Sequence, residues 1–236
     1  MHGSTNDSLF HVRIGPSERR LEARLAAFLH YEHKHGRRVI VAVCDNTDAG
    51  ALVERALAEH PSGTFLAAEE SEWLVHSTDL AAWAHIQDCG ELRSLSLLQR
   101  ENREPLALGL SELSEPQDYA DYVMLSLLGM IGPENVVASR AFGRVFTEEN
   151  TAYTPGVRLY FDGHRIIDDG LAVWDGVHLI KVRDHLPLEP YLLAAMTAET
   201  LDPQSLVDQW TPRSFMEAAD ARFLAQRSTS QLTTDD

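Results

Sequence analysis

Apolar residues repeat at helical spacing near the start of the chain. Between residues 17 and 35 they fall three or four positions apart, at Leu21, Leu25, Phe28 and Leu29. Gly36 then occupies a position typical of a helix end. The β-branched run over 38–44 predicts a strand buried on both faces, and residues 51–60 predict another helix. We therefore expect a helix–strand–helix unit within residues 10–70.

From residue 71 onward the apolar residues form shorter runs, separated by glycine, aspartate and proline. Residues 73–76 predict a strand, residues 78–89 a helix, and residues 121–128 a strand or short helix. Short apolar runs predict further strands at 136–138, 157–161, 165–167 and 177–182. Two segments are predicted to be helical, 188–201 and 203–227, and the polar residues 228–236 to form a disordered tail. The pattern indicates an α+β chain with a second domain over residues 71–227.

The charge of the chain narrows the range of partners. The sequence carries 36 acidic and 20 basic side chains, which gives a formal net charge of -16. Such a surface repels polyanions at long range, whereas non-specific nucleic-acid binding needs a basic surface. The two cysteines, Cys44 and Cys89, form no CxxC pair, and no apolar run approaches the roughly 20 residues that span a bilayer. We expect a cytoplasmic protein that does not enter a membrane.

Several common catalytic motifs are missing from the sequence, among them GxGxxG, GKS or GKT, HExxH and GxSxG. Asp45, Asn46 and Asp48 follow the first predicted strand, where they could hold a metal or a ribose, or simply form a turn. His30 and His33 share a helical face, but no further ligands complete a metal site. We therefore expect no metal.

A histidine and two hydroxyl side chains lie where a strand ends and a helix begins, at His76, Ser77 and Thr78. Such a corner can hold a polar ligand, because backbone N–H groups at a helix start attract anions. The alternative is structural: Ser77 caps the helix, Thr78 packs, and His76 is an ordinary residue at a strand end.

The run from this corner to Ser94 resembles the opening motif of the ADP-ribosyltransferase superfamily. The matching positions are His76 and Thr78, then Trp83 and Ile86 in the helix, then Gly90, Leu92 and Ser94. The run is most similar to the NAD-dependent RNA 2′-phosphotransferases and to the DNA ADP-ribosyltransferase toxins. The resemblance covers residues 72–193 and implies a split antiparallel β-core with NAD as the substrate. It further implies that His76 binds the nicotinamide ribose and that Ser77 and Thr78 help to seat NAD.

Later segments extend the resemblance. Tyr122, or less favourably Tyr119, would lie against nicotinamide, although either could be a core aromatic. Arg140 matches a substrate-binding arginine of the phosphotransferases, and His178 would lie at the NAD site on the last strand. Arginines bind phosphate well, and a wider basic cluster is conceivable from four further residues: Arg144, Arg158, Arg165 and His164.

One departure from the toxins bears on function. Their last strand carries a glutamate, whereas the strand over 177–182 has none and Glu189 lies beyond it. This departure favours the phosphotransferase branch or an inactive relative. We therefore expect an NAD-consuming transferase, which acts by ADP-ribosyl transfer or by removal of an RNA 2′-phosphate, and whose acceptor is a nucleic acid or a protein. The alternative is a non-catalytic interaction or immunity protein with a degenerate transferase-like fold. A metal-dependent hydrolase that uses Asp45 and Asp48 is a third hypothesis.

Overall fold

The structure is a computed structural model that describes residues 2–6, 9–14, 20–43, 47–61, 72–101, 115–174, 176, 180–202 and 210–232. Its N-terminal unit contains five elements: β1 (His2–Asn6), β2 (Leu9–Ile14), α1 (Leu21–Lys34), β3 (Arg38–Val43) and α2 (Ala49–Glu59). β2 pairs antiparallel with β1 and parallel with β3. Val12 and Ile14 pack with Leu25, Phe28 and Leu52 of the two helices. The helix–strand–helix unit therefore starts earlier than predicted, because a hairpin adds two strands to it.

The larger part is built on six strands: β4 (Trp73–Thr78), β6 (Tyr122–Leu127), β7 (Val157–Asp162), β8 (Ala172–Trp174), β9 (Ile180–Arg183) and β11 (Leu192–Thr197). Within the described residues they form one sheet in the order β11-β7-β4-β6-β9-β8, and every neighbouring pair is antiparallel. Two short strands, β5 (Glu91–Arg93) and β10 (His185–Pro187), form a separate ribbon. The chain is therefore of the α+β class.

The helices of this part connect and cover the strands: α3 (Leu80–Cys89), α4 (Leu95–Arg100), α5 (Gly132–Phe142), α6 (Gly163–Asp168), α7 (Ala198–Leu201) and α8 (Pro212–Leu232). A 3₁₀ helix, Gln117–Asp121, precedes β6. On the first face of the sheet, Leu74 and Leu159 pack with the β5–β10 ribbon and with Trp83 of α3. On the second face, Val75 and Tyr160 pack against Phe223 of α8. The six-stranded sheet is thus covered on both faces.

Four predicted segments differ in the structure. Residues 136–138 lie in α5, which has Pro133 in its first turn and ends at Gly143 with a φ of 67°. Residues 165–167 lie in α6, because the Asp162 side chain accepts a hydrogen bond from the Arg165 N–H and caps this helix. The predicted helix over 188–201 instead contains β11, which pairs with β7. Residues 228–232 of the predicted tail lie in α8, which continues to Leu232.

The N-terminal unit packs against the β9 side of the large sheet. The Lys181 ammonium lies 4.1 Å from the centroid of the Tyr31 ring and 3.5 Å from that of Tyr119. The Tyr31 hydroxyl donates to Asp118 at 2.7 Å, and Arg37 forms ion pairs with both Asp118 and Glu32. The cation–π contacts and the ion pairs together hold α1 against the sheet.

Candidate functional site

The large sheet splits between its two central strands. β4 pairs with β7 along its whole length, from Trp73 to Thr78. Its pairing with β6 is limited, within these fully described strands, to Leu74 with Leu127 and Val75 with Ser126. Beyond that point β6 pairs with β9 instead. The split opens at His76, so backbone groups on either side of it no longer bond to each other.

His76 bridges the split with its side chain. Its Nδ1 atom lies 3.0 Å from the Met124 carbonyl oxygen on β6. A carbonyl oxygen can only accept, so the Nδ1 atom carries the hydrogen and donates it. In this tautomer the Nε2 atom is a hydrogen-bond acceptor. The imidazole therefore presents a lone pair on the side away from β6.

The environment keeps this imidazole neutral. Burial lowers the pKa of His76 to about 4, against the opposing effect of the Met124 carbonyl, and the positive charge of Arg140 adds to the lowering. At neutral pH the ring is thus an uncharged acceptor.

Arg140 carries a positive charge that acts on His76. It lies in the last turn of α5 and is half-buried. Burial lowers the pKa of Arg140, and the Asp79 carboxylate opposes this effect, but a guanidinium stays charged at neutral pH. Asp79 also accepts a hydrogen bond from the Ala82 N–H at 2.8 Å and so caps α3. The charges of Arg140 and Asp79 thus act on each other, and that of Arg140 acts on His76, near the end of β4.

Ser77 and Thr78 are both buried in the protein interior. Ser77 is only 3% exposed, and its hydroxyl donates to the Glu134 carboxylate on α5. Thr78 is equally buried at the end of β4. The helix cap predicted for one of these hydroxyls is instead provided by Asp79, because Ser77 points to the second face of the sheet.

Tyr122 lies away from His76. Successive residues of a strand point to opposite faces. Val123 belongs to the first-face cluster with Leu74, and His76 lies two residues after Leu74 on that face. Tyr122 therefore points to the second face, where it is 6% exposed and its ring centroid lies 6.4 Å from that of Tyr31. The charge of Arg140 contributes to the lowered pKa of His76, whereas Tyr122 lies on the opposite face of the sheet from His76.

The wider basic cluster does not converge on His76. Arg144 pairs with Glu148, and the Arg165 guanidinium lies over the Tyr191 ring, 5.9 Å from its centroid. Tyr119 packs on Lys181. Asp48 caps α2 by accepting from the Gly50 and Ala51 N–H groups, as a turn-former would. His178, Asp45 and Asn46 lie outside the described residues.

A buried ionic network underlies the end of β4, and the sequence did not predict it. Arg158 on β7 donates to the Asp220 carboxylate at 2.8 and 3.2 Å and to the Glu134 carboxylate at 3.2 Å. Tyr160 donates to Asp220 and Tyr153 donates to Glu134. A signal was present, since an arginine within the apolar strand Val157–Phe161 requires a buried acidic partner.

Comparison with known proteins adds no relative: no family model, no curated protein and no solved structure matches this chain. Among the described residues, every helix is too short or too polar to cross a membrane. The same part of the chain contains no group of three or more histidine, cysteine, aspartate or glutamate side chains placed to hold a metal ion. The geometry at His76 therefore carries the functional interpretation.

The lowered pKa of His76 makes stability depend on pH. An unfolded histidine titrates near 6.5, so the unfolded chain gains a proton that the folded chain excludes until the pH nears 4. The contribution of His76 to the free energy of unfolding is therefore fully present above pH 6.5. As the pH falls from 6.5 toward 4, the free energy of unfolding decreases by up to about 3 kcal/mol. Urea denaturation at pH 7 and pH 4.5 measures the loss. A His76→Asn variant should lose less stability over this interval, and an identical loss would contradict the assignment.

Proposed function

We propose that this chain consumes NAD, cleaves the bond between nicotinamide and ribose, and transfers the ADP-ribosyl group to an acceptor. The observation that carries the proposal is the His76 imidazole, which bonds to the Met124 carbonyl across the split of the sheet and whose pKa is lowered by burial and by the charge of Arg140. The resemblance of residues 72–193 to the ADP-ribosyltransferases motivates the choice of NAD.

The topology supports a core of the ADP-ribosyltransferase type. The resemblance implies an antiparallel β-core that is split, and β4 and β6 separate after two residue pairs. The strand that bears His76 forms one side of this split, and a strand that follows it in sequence forms the other. His76 thus lies in the part of β4 that pairs with β7 but, within the described residues, no longer with β6.

The side chains of His76 and Arg140 are chemically suited to bind the sugar and the phosphate, respectively, of a ribose phosphate. The Nε2 atom of His76 can accept a hydrogen bond from a ribose hydroxyl, and the Arg140 guanidinium can donate to a phosphate oxygen. Cleavage breaks the C–N bond, whose electron pair leaves with nicotinamide while positive charge builds on the ribose. A neutral imidazole can orient this sugar without repelling the developing cation. The acceptor oxygen or nitrogen then bonds to the ribose carbon and gives up its proton.

Nicotinamide release from NAD by the purified protein tests the proposal. We expect His76→Ala to reduce the rate by about 100-fold or more, because removal of one preorganised polar contact has effects of this order. The melting temperature near neutral pH should change little, since His76 is half-buried and uncharged.

His85 provides the matched control, since it is an exposed histidine on the neighbouring helix α3. His85→Ala should retain the rate of the unmodified protein. Full activity in His76→Ala, or an equal loss in His85→Ala, would remove His76 from the proposed reaction. Water, a protein and a nucleic acid should be supplied as acceptors in parallel.

A non-catalytic interaction protein is the second candidate, and the position of Tyr122 favours it. The aromatic residue that the resemblance assigns to nicotinamide is packed against Tyr31 and is nearly inaccessible to solvent. A chain that kept a transferase-like sheet but not its chemistry would release no nicotinamide with any acceptor. The assay above therefore separates the two candidates.

A further inference from the structure

A buried carboxylate joins the helix α5 to the strand β4. Glu134 lies in the first turn of α5 and is fully buried. One of its oxygens accepts from the Ser77 hydroxyl on β4 and from Arg158 on β7 at 3.2 Å. The other accepts from the Tyr153 hydroxyl at 2.7 Å. The carboxylate is therefore saturated by three donors, two of which come from neighbouring strands of the sheet.

The same arginine has a second carboxylate partner, and the two partners hold different elements. Asp220 on α8 accepts two hydrogen bonds from Arg158 and one from the Gly129 N–H at 3.0 Å. Both acids thus neutralise one buried guanidinium. Glu134 lies on α5, whereas Asp220 lies on α8. The hydrogen bond that Glu134 accepts from Ser77 connects α5 to β4.

The hydrogen bond between Glu134 and Ser77 joins the two elements that carry the residues of the proposed site, β4 with His76 and α5 with Arg140. Ser77 directly follows His76 in β4, so its bond to Glu134 fixes the backbone that bears the imidazole. Arg140 lies six residues after Glu134 on α5, about 9 Å along the helix axis. A rigid helix fixed at one end holds its other end in place. The Glu134–Ser77 bond therefore restrains the position of Arg140 relative to His76.

We propose that Glu134 is a positioning residue, which sets the separation between the Arg140 guanidinium and the His76 imidazole by locking α5 to β4. The effect on turnover rests on the proposed function, but the effect on the imidazole does not. Glu134 itself does not contact the reacting groups and acts through Ser77 and α5.

The test compares Glu134→Gln with Asp220→Asn, because each variant removes one of the two negative charges on Arg158. The His76 pKa, measured by NMR titration of the ring protons, reports the nearby cation. In Glu134→Gln we expect α5 to loosen and Arg140 to move away, which raises the His76 pKa. Loss of a carboxylate charge alone would lower that pKa, so an upward shift reports movement of Arg140. In Asp220→Asn no upward shift is expected.

Three further variants sharpen the test. Arg140→Gln gives the full effect of removing the cation, and the double variant Glu134→Gln with Arg140→Gln should add no further upward shift. Ser77→Ala removes only the link from β4, since Glu134 keeps its bonds to Tyr153 and Arg158. Ser77→Ala should also raise the His76 pKa. This variant replaces Glu134→Gln in the test if Glu134→Gln does not fold.

Turnover provides the functional readout. A misplacement of about 1 Å can cost on the order of 100-fold, so kcat/KM for NAD should fall in Glu134→Gln far more than in Asp220→Asn. An unchanged His76 pKa in both Glu134→Gln and Ser77→Ala, or an equal upward shift in Asp220→Asn, would overturn the positioning role. Absence of nicotinamide release by the unmodified protein would instead contradict the proposed function, and the NMR result would still decide the role of Glu134.

Discussion

Replacement of Arg158 by alanine is expected to lower the free energy of unfolding by roughly 3–5 kcal/mol. The arginine is 0% exposed and lies between the carboxylates of Glu134 and Asp220. Its removal leaves two buried anions without their cation and opens a cavity on the second face of the sheet. Chemical denaturation monitored by tryptophan fluorescence measures the loss.

Arg213→Ala is the matched control, since Arg213 also pairs with two carboxylates, Glu149 and Glu217, but its side chain is 46% exposed. Exposed ion pairs contribute little, so a loss below about 1 kcal/mol is expected. Equal losses in the two variants would show that burial does not set the strength of the Arg158 network.

Replacement of Gly156 by alanine should have the next largest effect. A Cβ atom at this position would lie 1.9 Å from the carbonyl oxygen of Thr78 and 2.9 Å from the Cα atom of Asp79. Both contacts are to backbone, which cannot rotate away as a side chain can. We expect a loss of about 3 kcal/mol, toward the upper end of the range for overpacking, with distortion at the end of β4. Thermal and urea denaturation measure it.

Gly132→Ala tests whether this effect is specific. Gly132 is the first residue of α5, and a Cβ atom added there would meet no atom within 4 Å. Alanine is also the better helix former, so the change in stability should be close to zero or slightly favourable. If Gly156→Ala were equally neutral, the close approach between residue 156 and the end of β4 would be wrong.

The long periodic segments of the fold could be predicted from the sequence, and several short ones could not. The helical spacing of residues in α1 predicted that helix, and the apolar run of β3 predicted a strand. The expectation that β3 is buried on both faces is wrong, because β3 lies at the edge of its described sheet, its residues alternate between exposed and half-buried, and Ile40 is 44% exposed. The short segments 136–138 and 165–167 fit a strand or a helix equally well. Their helical state depends on local details, such as the Asp162 cap, and on packing against the sheet. For β11 the deciding factor is its distant partner β7.

The candidate site was predicted in part. The strand over residues 73–76 was predicted and is confirmed, although it continues to Thr78, so that His76 is not its last residue. Arg140 lies in α5 and not next to a strand as expected, and its substrate-binding role stays a prediction. The partners of Arg158 could not be deduced, because they are 24 and 62 residues away in sequence. The face on which Tyr122 lies depends on the register between β6 and β9, which a single sequence does not specify.

The contact between α1 and the large sheet has a consequence for protein engineering. A truncated chain that began at Glu72 would lose the Tyr31 ring, which covers the Lys181 ammonium, and would strip Asp118 of its bonds to Tyr31 and Arg37. It would also uncover the Gly176 carbonyl, which accepts from Arg24. The C-terminal part is therefore unsuited to expression as an isolated fragment, and a shortened protein should retain its first sixty residues.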